Sequence, residues 1–449
     1  MGPESSSGEK PEKPKKTPLI TMWQATYIGL GNIIGAGIFV LAGTVISISG
    51  PGAILAFGLT ALLATTVALN SAELSSKIVT HGGLYSFTRV SMGDGPGFIV
   101  GWLRAISYAI AASAVALGFA SYLSSLLGLP ANPVIIPALA AVLIVTVTAL
   151  DYTGLRLVAR VEKYLVFITV AGLILFILSA LAFGSWTPSR FLPLIPFGPA
   201  SILAAASLAF FAYSGFNTVA TLTPEVEDGP ANVPKAIILS LVVSTVLYLL
   251  VVLGMLALMP WSGYMVTANP LQNALDYSEA PAWISGIIAI VALIATVTVT
   301  MSLIIAGSRT LLQMSEDGMF PRWIGGLSGD SPRIAVVLIG AGTVLSLLLG
   351  DLKFIALASN FGVIFSYALT GVAVVILRRR SVPGRFQAPL YPWVPILSLV
   401  LSVLVMISLG TQALYLGSIF ILTGFVLYGI LLVSEKAERK GGIREESVP

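Results

Sequence analysis

Long apolar stretches alternate with short polar connections along nearly the whole chain. Twelve of them are predicted to be membrane-spanning helices, at about 20–48, 52–77, 97–127, 132–150, 157–183, 198–223, 234–259, 281–313, 333–349, 353–377, 394–410 and 412–434. Turn residues fill the gaps, among them Gly50-Pro51-Gly52, Gly93-Asp94-Gly95-Pro96, Gly229-Pro230 and Val382-Pro383-Gly384. The pattern predicts an all-α polytopic membrane protein. Its organisation is a polar, disordered tail at 1–18, a five-helix group at 19–183, a second at 198–377, helices 11 and 12 at 393–434, and a tail at 435–449.

Two stretches interrupt this regularity. Residues 29–39 read GLGNIIGAGIF, placing Gly29, Gly31, Gly35 and Gly37 within one predicted span. Each glycine weakens a helix by roughly 1 kcal/mol relative to alanine. Residues 210–217 read FFAYSGFN in the sixth span. Non-helical backbone at membrane depth must be buried in protein or line a cavity. Five spans is an odd number, so the second group of five enters from the opposite side. The result is an inverted repeat with paired breaks in helices 1 and 6, which marks a solute site between the halves.

If span 1 is helical to about Ile34 and resumes near Ile38, the amides of Ala36, Gly37 and Ile38 open a half-helix. Those amides suit a carboxylate. Carbonyls from Gly31 to Ile34 suit an ammonium group or a sodium ion. The plainer reading is that Gly31 and Gly35 form a helix-packing pair. In the second break the carbonyls of Phe211 and Ser214 become available, and Gly215-Phe216-Asn217-Thr218 resumes the chain. Any of Phe211, Tyr213 and Phe216 is placed to lid a pocket.

Composition narrows the class. Of 449 residues 56% are hydrophobic and only 10% charged, against about 25% charged in soluble domains. The net charge of +4 comes from loop residues and is no nucleic-acid footprint. With the N-terminus in the cytoplasm, 22 of the 24 basic residues fall at or near the inner face, leaving Arg190 and Lys353 outside. Both termini are therefore expected to be cytoplasmic, in the cell membrane. Arg378-Arg379-Arg380 reads as a topology anchor. One histidine and no cysteine exclude a zinc-type cluster and thiol chemistry. No nucleotide-binding loop and no nucleophile–base pair at membrane depth argue against ATP drive and against an enzyme.

GLGNIIGAGIF, the stretch FFAYSGFNTVATLTPEVEDGPANVPKAI from Phe210 to Ile237, and SRTLLQMSEDGMFP from Ser308 to Pro321 resemble the amino acid–polyamine–organocation transporter family, with its five-plus-five LeuT-type fold. The resemblance implies a transporter of amino acids or related amines, with a small-molecule substrate and no cofactor beyond a coupling proton or sodium ion. It implies the substrate carboxylate on the amides of Ala36 and Gly37, and the ammonium at carbonyls of Ile33, Phe211 and Ser214. Ile38, Gly215 and Asn217 complete the implied site. Phe211 is the implied gate, helped by Tyr108 in span 3.

The chain departs from the pattern. Asn217 stands where many members carry an acid, and Thr169 where proton-coupled members have a lysine. Lys163 lies nearer the cytoplasmic end of that helix and reads first as a snorkelling lysine. No acid falls near a span midpoint. The alternative is sodium held by Thr298, with Thr169 opposite and the carbonyls of Gly31 and Ile34. The plainer reading is that these hydroxyls bond back to their own helices. With no ionised group expected in the side-chain part of the pocket, a neutral amino acid is expected, moved by symport or exchange. Amine carriage, and a sensor of the same fold that binds without flux, remain the alternatives.

Overall fold

The computed structural model describes residues 20–35, 37–130, 132–153, 157–265, 267, 269–321, 323–326 and 331–445, with only the backbone path given for 157–163 and 434–445. The helices are α1 (Met22–Ile33), α2 (Ala42–Ser49), α3 (Ala53–Lys77), α4 (Gly83–Met92), α5 (Asp94–Leu126), α6 (Ile135–Tyr152), α7 (Leu157–Phe183) and α8 (Pro188–Phe191). They continue as α9 (Pro199–Tyr213), α10 (Gly229–Leu258), α11 (Pro270–Tyr277), α12 (Ala282–Glu316), α13 (Arg333–Ser346), α14 (Leu352–Arg379), α15 (Trp393–Ile407) and α16 (Thr411–Glu445). Among the described residues, 9 helical runs are long and apolar enough to cross a membrane. The first, Met22–Lys77, covers two of the predicted spans, which are parted at the turn Gly50–Gly52. Shorter apolar helices at Arg333–Leu349 and Trp393–Ile407 stand where the ninth and eleventh spans are predicted.

Both interruptions are present. A capping box opens α1: Gln24 N donates to Thr21 Oγ1 (3.3 Å) and Thr21 N to Gln24 Oε1 (2.8 Å). The α-helix stops at Ile33, and the chain resumes as a wide π turn over Gly37–Leu41 before α2. Tyr122 on α5 grips that turn, its hydroxyl donating to the Phe39 carbonyl at 2.6 Å. The sequence-based expectation of resumption near Ile38 is close, but the resumed segment begins under-wound. The second break ends α9 at Tyr213 and continues as a 3₁₀ segment, Phe216–Leu222.

Each broken helix is held by its neighbours. α1 packs on α7, α10 and α12, and α9 packs on α2, α3 and α14. The start of α1 is stitched to the chain beyond the second break: Ile20 N donates to Glu225 O and Glu227 N to Ile20 O, both at 2.9 Å. Outer helices carry exposed apolar side chains, such as Phe167 on α7 and Leu422, Phe425 and Val426 on α16. That distribution suits a lipid surround, where apolar side chains need no burial in protein.

One end of the bundle carries the ion pairs. Glu73, fully buried on α3, accepts from Lys77 Nζ (2.8 Å), from Arg378 Nε (2.8 Å) and Nη2 (2.6 Å), and from the Ala388 amide (2.8 Å). The first arginine of the expected anchor run is thus turned inward onto an acid and stacks over Tyr391. Arg89 pairs with Asp94 (2.8 Å) and Asp317 (3.0 Å), and Arg385 with Asp228 (2.7 Å). His81 lies 3.6 Å from Glu225. Burial, together with the nearby Asp317 charge, raises the Tyr85 phenol well above its usual range.

Candidate functional site

The two breaks meet at one cavity. α1 and the wide turn contribute Asn32, Ile33 and Gly37, while α9 and the 3₁₀ segment contribute Phe211, Ser214, Gly215 and Thr218. α5 adds Arg104, Ser107, Tyr108 and Ala111, and α12 adds Val299, Ser302, Leu303 and Ala306, with Val363 from α14.

The glycines are there because backbone meets backbone. A Cβ on Gly37 would collide with Ala212 Cα, and one on Gly215 would collide with the Asn32 carbonyl oxygen. Only hydrogen fits in either place. The two broken segments therefore touch at the cavity wall, each one's break facing the other's.

Tyrosine hydroxyls fill much of the hydrogen-bonding capacity left by the breaks. Tyr248 on α10 donates to Ile33 O (2.6 Å), and its oxygen lies 3.0 Å from Ala212 O. Ile33 O also accepts from the Gly35 amide at 2.9 Å. A carbonyl has two lone pairs, so the Ile33 oxygen, expected to meet a substrate ammonium, is already fully used. Phe211 O accepts from the Ser214 hydroxyl (3.0 Å) and, more weakly, from the Ser214 amide (3.4 Å). Ser214 O accepts from Tyr367 at 2.8 Å and keeps one lone pair. Replacing Tyr248 by phenylalanine is expected to cost about 1 kcal/mol, the net worth of its hydrogen bond to Ile33 O, which keeps the Gly35 amide as a partner. The check is a lowered melting temperature with a raised half-saturation for substrate, because the lost hydroxyl joins the two breaks.

The other expected residues are distributed unevenly. Ala36 lies outside the described residues, as does the side chain of Lys163. Ile38 is fully buried and does not line the cavity. Asn217 is buried away from the cavity wall, its amide without a hydrogen-bond partner. Phe211 lines the cavity, whereas Tyr213 packs on Tyr248 and Phe216 on Tyr367. Gly31 and Ile34 are buried in α1 and at its cap. The Thr169 and Thr298 hydroxyls donate to Leu165 O (2.9 Å) and Ile294 O (2.8 Å), so each bonds back to its own helix, although their lone pairs remain. Among the described residues, no three His, Cys, Asp or Glu side chains stand together as a metal site.

Arg104 requires a correction. The positive-inside count places it with the inner-face residues, and the neutral-substrate expectation assumes no ionised group in the pocket. Instead it is 4% exposed and lines the cavity. It starts ten residues into α5, roughly 15 Å along the helix. Its Nη2 donates to the Tyr108 hydroxyl, and its guanidinium sits 4.3 Å from that ring's centre. Tyr108, expected as a gate, thus lines the cavity as the partner of a cation. The signal available in the sequence was the Arg104–Tyr108 spacing of one helical turn.

A cavity enclosed by helices, at the junction of two interrupted ones, in a chain built of long apolar helices, defines a polytopic membrane protein of the transporter class. The chain belongs to the amino acid permease family, whose model matches residues 20–432. It is 31% identical to the branched-chain amino acid permease of Bacillus subtilis over 94% of both chains. It is 32% identical to the methylthioribose transporter of the same organism over 91% of this chain and 92% of that one. With the branched-chain amino acid permease of Lactococcus lactis it shares 29% identity over 89% of this chain and 91% of that one. It is a transporter-family protein and not an enzyme.

Proposed function

We propose that the protein is a secondary active carrier of an α-amino acid, built as a twelve-span inverted repeat with both termini cytoplasmic and working by alternating access. The observation that carries this reading is the meeting of two interrupted helices at one cavity, where Gly37 and Gly215 bring backbone to backbone. The Gly37 amide, at the start of the resumed segment and on the cavity wall, takes the substrate carboxylate. The ammonium takes the lone pair left on Ser214 O, since Ile33 O is already satisfied. Phe211 closes over the bound substrate, and rocking of the broken-helix bundle exposes the site to each side in turn.

Ala111, Val299, Leu303 and Val363 make much of the wall apolar, which favours an aliphatic side chain. The two relatives named branched-chain permeases support that choice. Arg104 disfavours a cationic side chain, because like charges in a low-dielectric site repel strongly. The reading covers exchange and symport with a proton or with sodium. In the sodium case the ion sits between Thr169 and Thr298 near the α1 break, with carbonyls of Gly31 and Ile34.

Counterflow in proteoliposomes tests it. Vesicles are loaded with one unlabelled amino acid at a time, and uptake of the labelled form is followed with sodium and pH equal on both sides. Saturable counterflow of at least one amino acid is expected. A folded protein that exchanges none of the twenty overturns the carrier reading in favour of an amine carrier or a sensor without flux.

A further inference from the structure

Among the described residues, the guanidinium in the cavity wall has no acidic partner. Among the described ion pairs, none includes Arg104. Its neighbours are the neutral phenols Tyr108 and Tyr367. Nη2 is used by the Tyr108 hydroxyl, while Nη1 is buried without a hydrogen-bond partner. A charged group in such a place is stable only with a counter-charge or water. Closure around a substrate removes the water.

Charge counting then constrains what is bound. A zwitterionic amino acid contributes one positive and one negative charge, so with Arg104 the closed complex holds a surplus positive charge. This surplus is the same whichever donors take the α-carboxylate. It is cancelled only by a further negative charge in the cavity.

Resting on the carrier reading, we propose that Arg104 forms an anion subsite inside the substrate cavity, where Nη1 takes one monoanion in addition to the α-carboxylate. The two sources of that chemistry are the side-chain carboxylate of an acidic amino acid and a halide bound beside a neutral one. The planar fork of arginine suits a carboxylate oxygen, and its permanent charge holds a halide equally at any physiological pH.

The experiment compares wild type with Arg104→Lys and Arg104→Gln in proteoliposomes. Counterflow of labelled glutamate, aspartate and leucine is measured in chloride and in gluconate, an anion too bulky to share the cavity with substrate. Two results support the proposal. In one, wild type exchanges an acidic amino acid, Arg104→Gln loses at least tenfold of it, and Arg104→Lys keeps most. In the other, leucine counterflow falls at least tenfold when gluconate replaces chloride, and Arg104→Gln removes this dependence.

Leucine exchange indifferent to chloride, together with exclusion of acidic amino acids, overturns the subsite. So does acidic exchange unchanged in Arg104→Gln. Failure of the carrier reading is distinguishable, because it shows as no exchange of any amino acid by wild type. In that case the thermal shift of the detergent-purified protein with chloride or glutamate reads the subsite directly, and a shift equal in wild type and Arg104→Gln overturns it. If Arg104→Gln does not fold, Arg104→Lys and the wild-type anion dependence decide in its place.

Discussion

Alanine at Gly215 is expected to lower transport by about a hundredfold, the loss that a misplacement of roughly 1 Å at a reacting or binding centre brings. The added Cβ meets the Asn32 carbonyl oxygen, an atom of the opposite broken segment. No side-chain rotation relieves this contact, because both atoms are fixed to main chain. One segment must move away from the other, and the cavity walls they form move with it. Overpacking of this kind destabilises by about 1–3 kcal/mol, a penalty that leaves a measurable folded fraction. Counterflow per folded molecule, normalised by melting curves, separates the two effects. An alanine variant that exchanges substrate at the wild-type rate would show that the close approach of the breaks is not needed.

Alanine at Glu73 is expected to act on stability instead, by about 3–5 kcal/mol, the usual loss when one partner of a buried ion pair is removed. Two cations converge on this carboxylate, and the Lys77 side chain is itself only 2% exposed. Removal of the acid leaves Lys77 and Arg378 beside each other without a counter-charge and frees the Ala388 amide. Glutamine at the same place keeps the shape and one acceptor, so its loss is expected to be smaller. Thermal melting of the three proteins in one detergent is the measurement. Equal melting temperatures for wild type and Glu73→Ala would mean that water already solvates the network.

Much of the fold was legible because membrane helices announce themselves through length and apolarity. The breaks were legible because glycine has so little use inside a spanning helix, and both GLGNIIGAGIF and FFAYSGFN fall where helices stop. The partners of the freed carbonyls were not. Tyr248 and Tyr367 reach them from helices far along the chain, and nothing in local spacing says which phenol arrives. Arg104 was misplaced for a related reason. A count of basic residues assigns side, not depth, and ten residues of helix carry Arg104 from the start of α5 to the cavity. Thr169 and Thr298 show the reverse: each hydroxyl bonds back to its own helix, the plainer of the two readings weighed for them.

The Glu73 network also bears on how the chain is made. Arg378 is 305 residues away in sequence. At roughly 5–20 residues per second of synthesis, Glu73 is in place on the order of 15–60 s before its arginine emerges. During that interval Lys77 is available one helical turn on, in the favourable order of acid before base. Lys77 is thus placed to neutralise the acid before the arginine is made. The arginine can join it only after α14 has been made. The same lysine thus serves the growing chain first and stays beside the acid, at 2.8 Å, in the finished molecule.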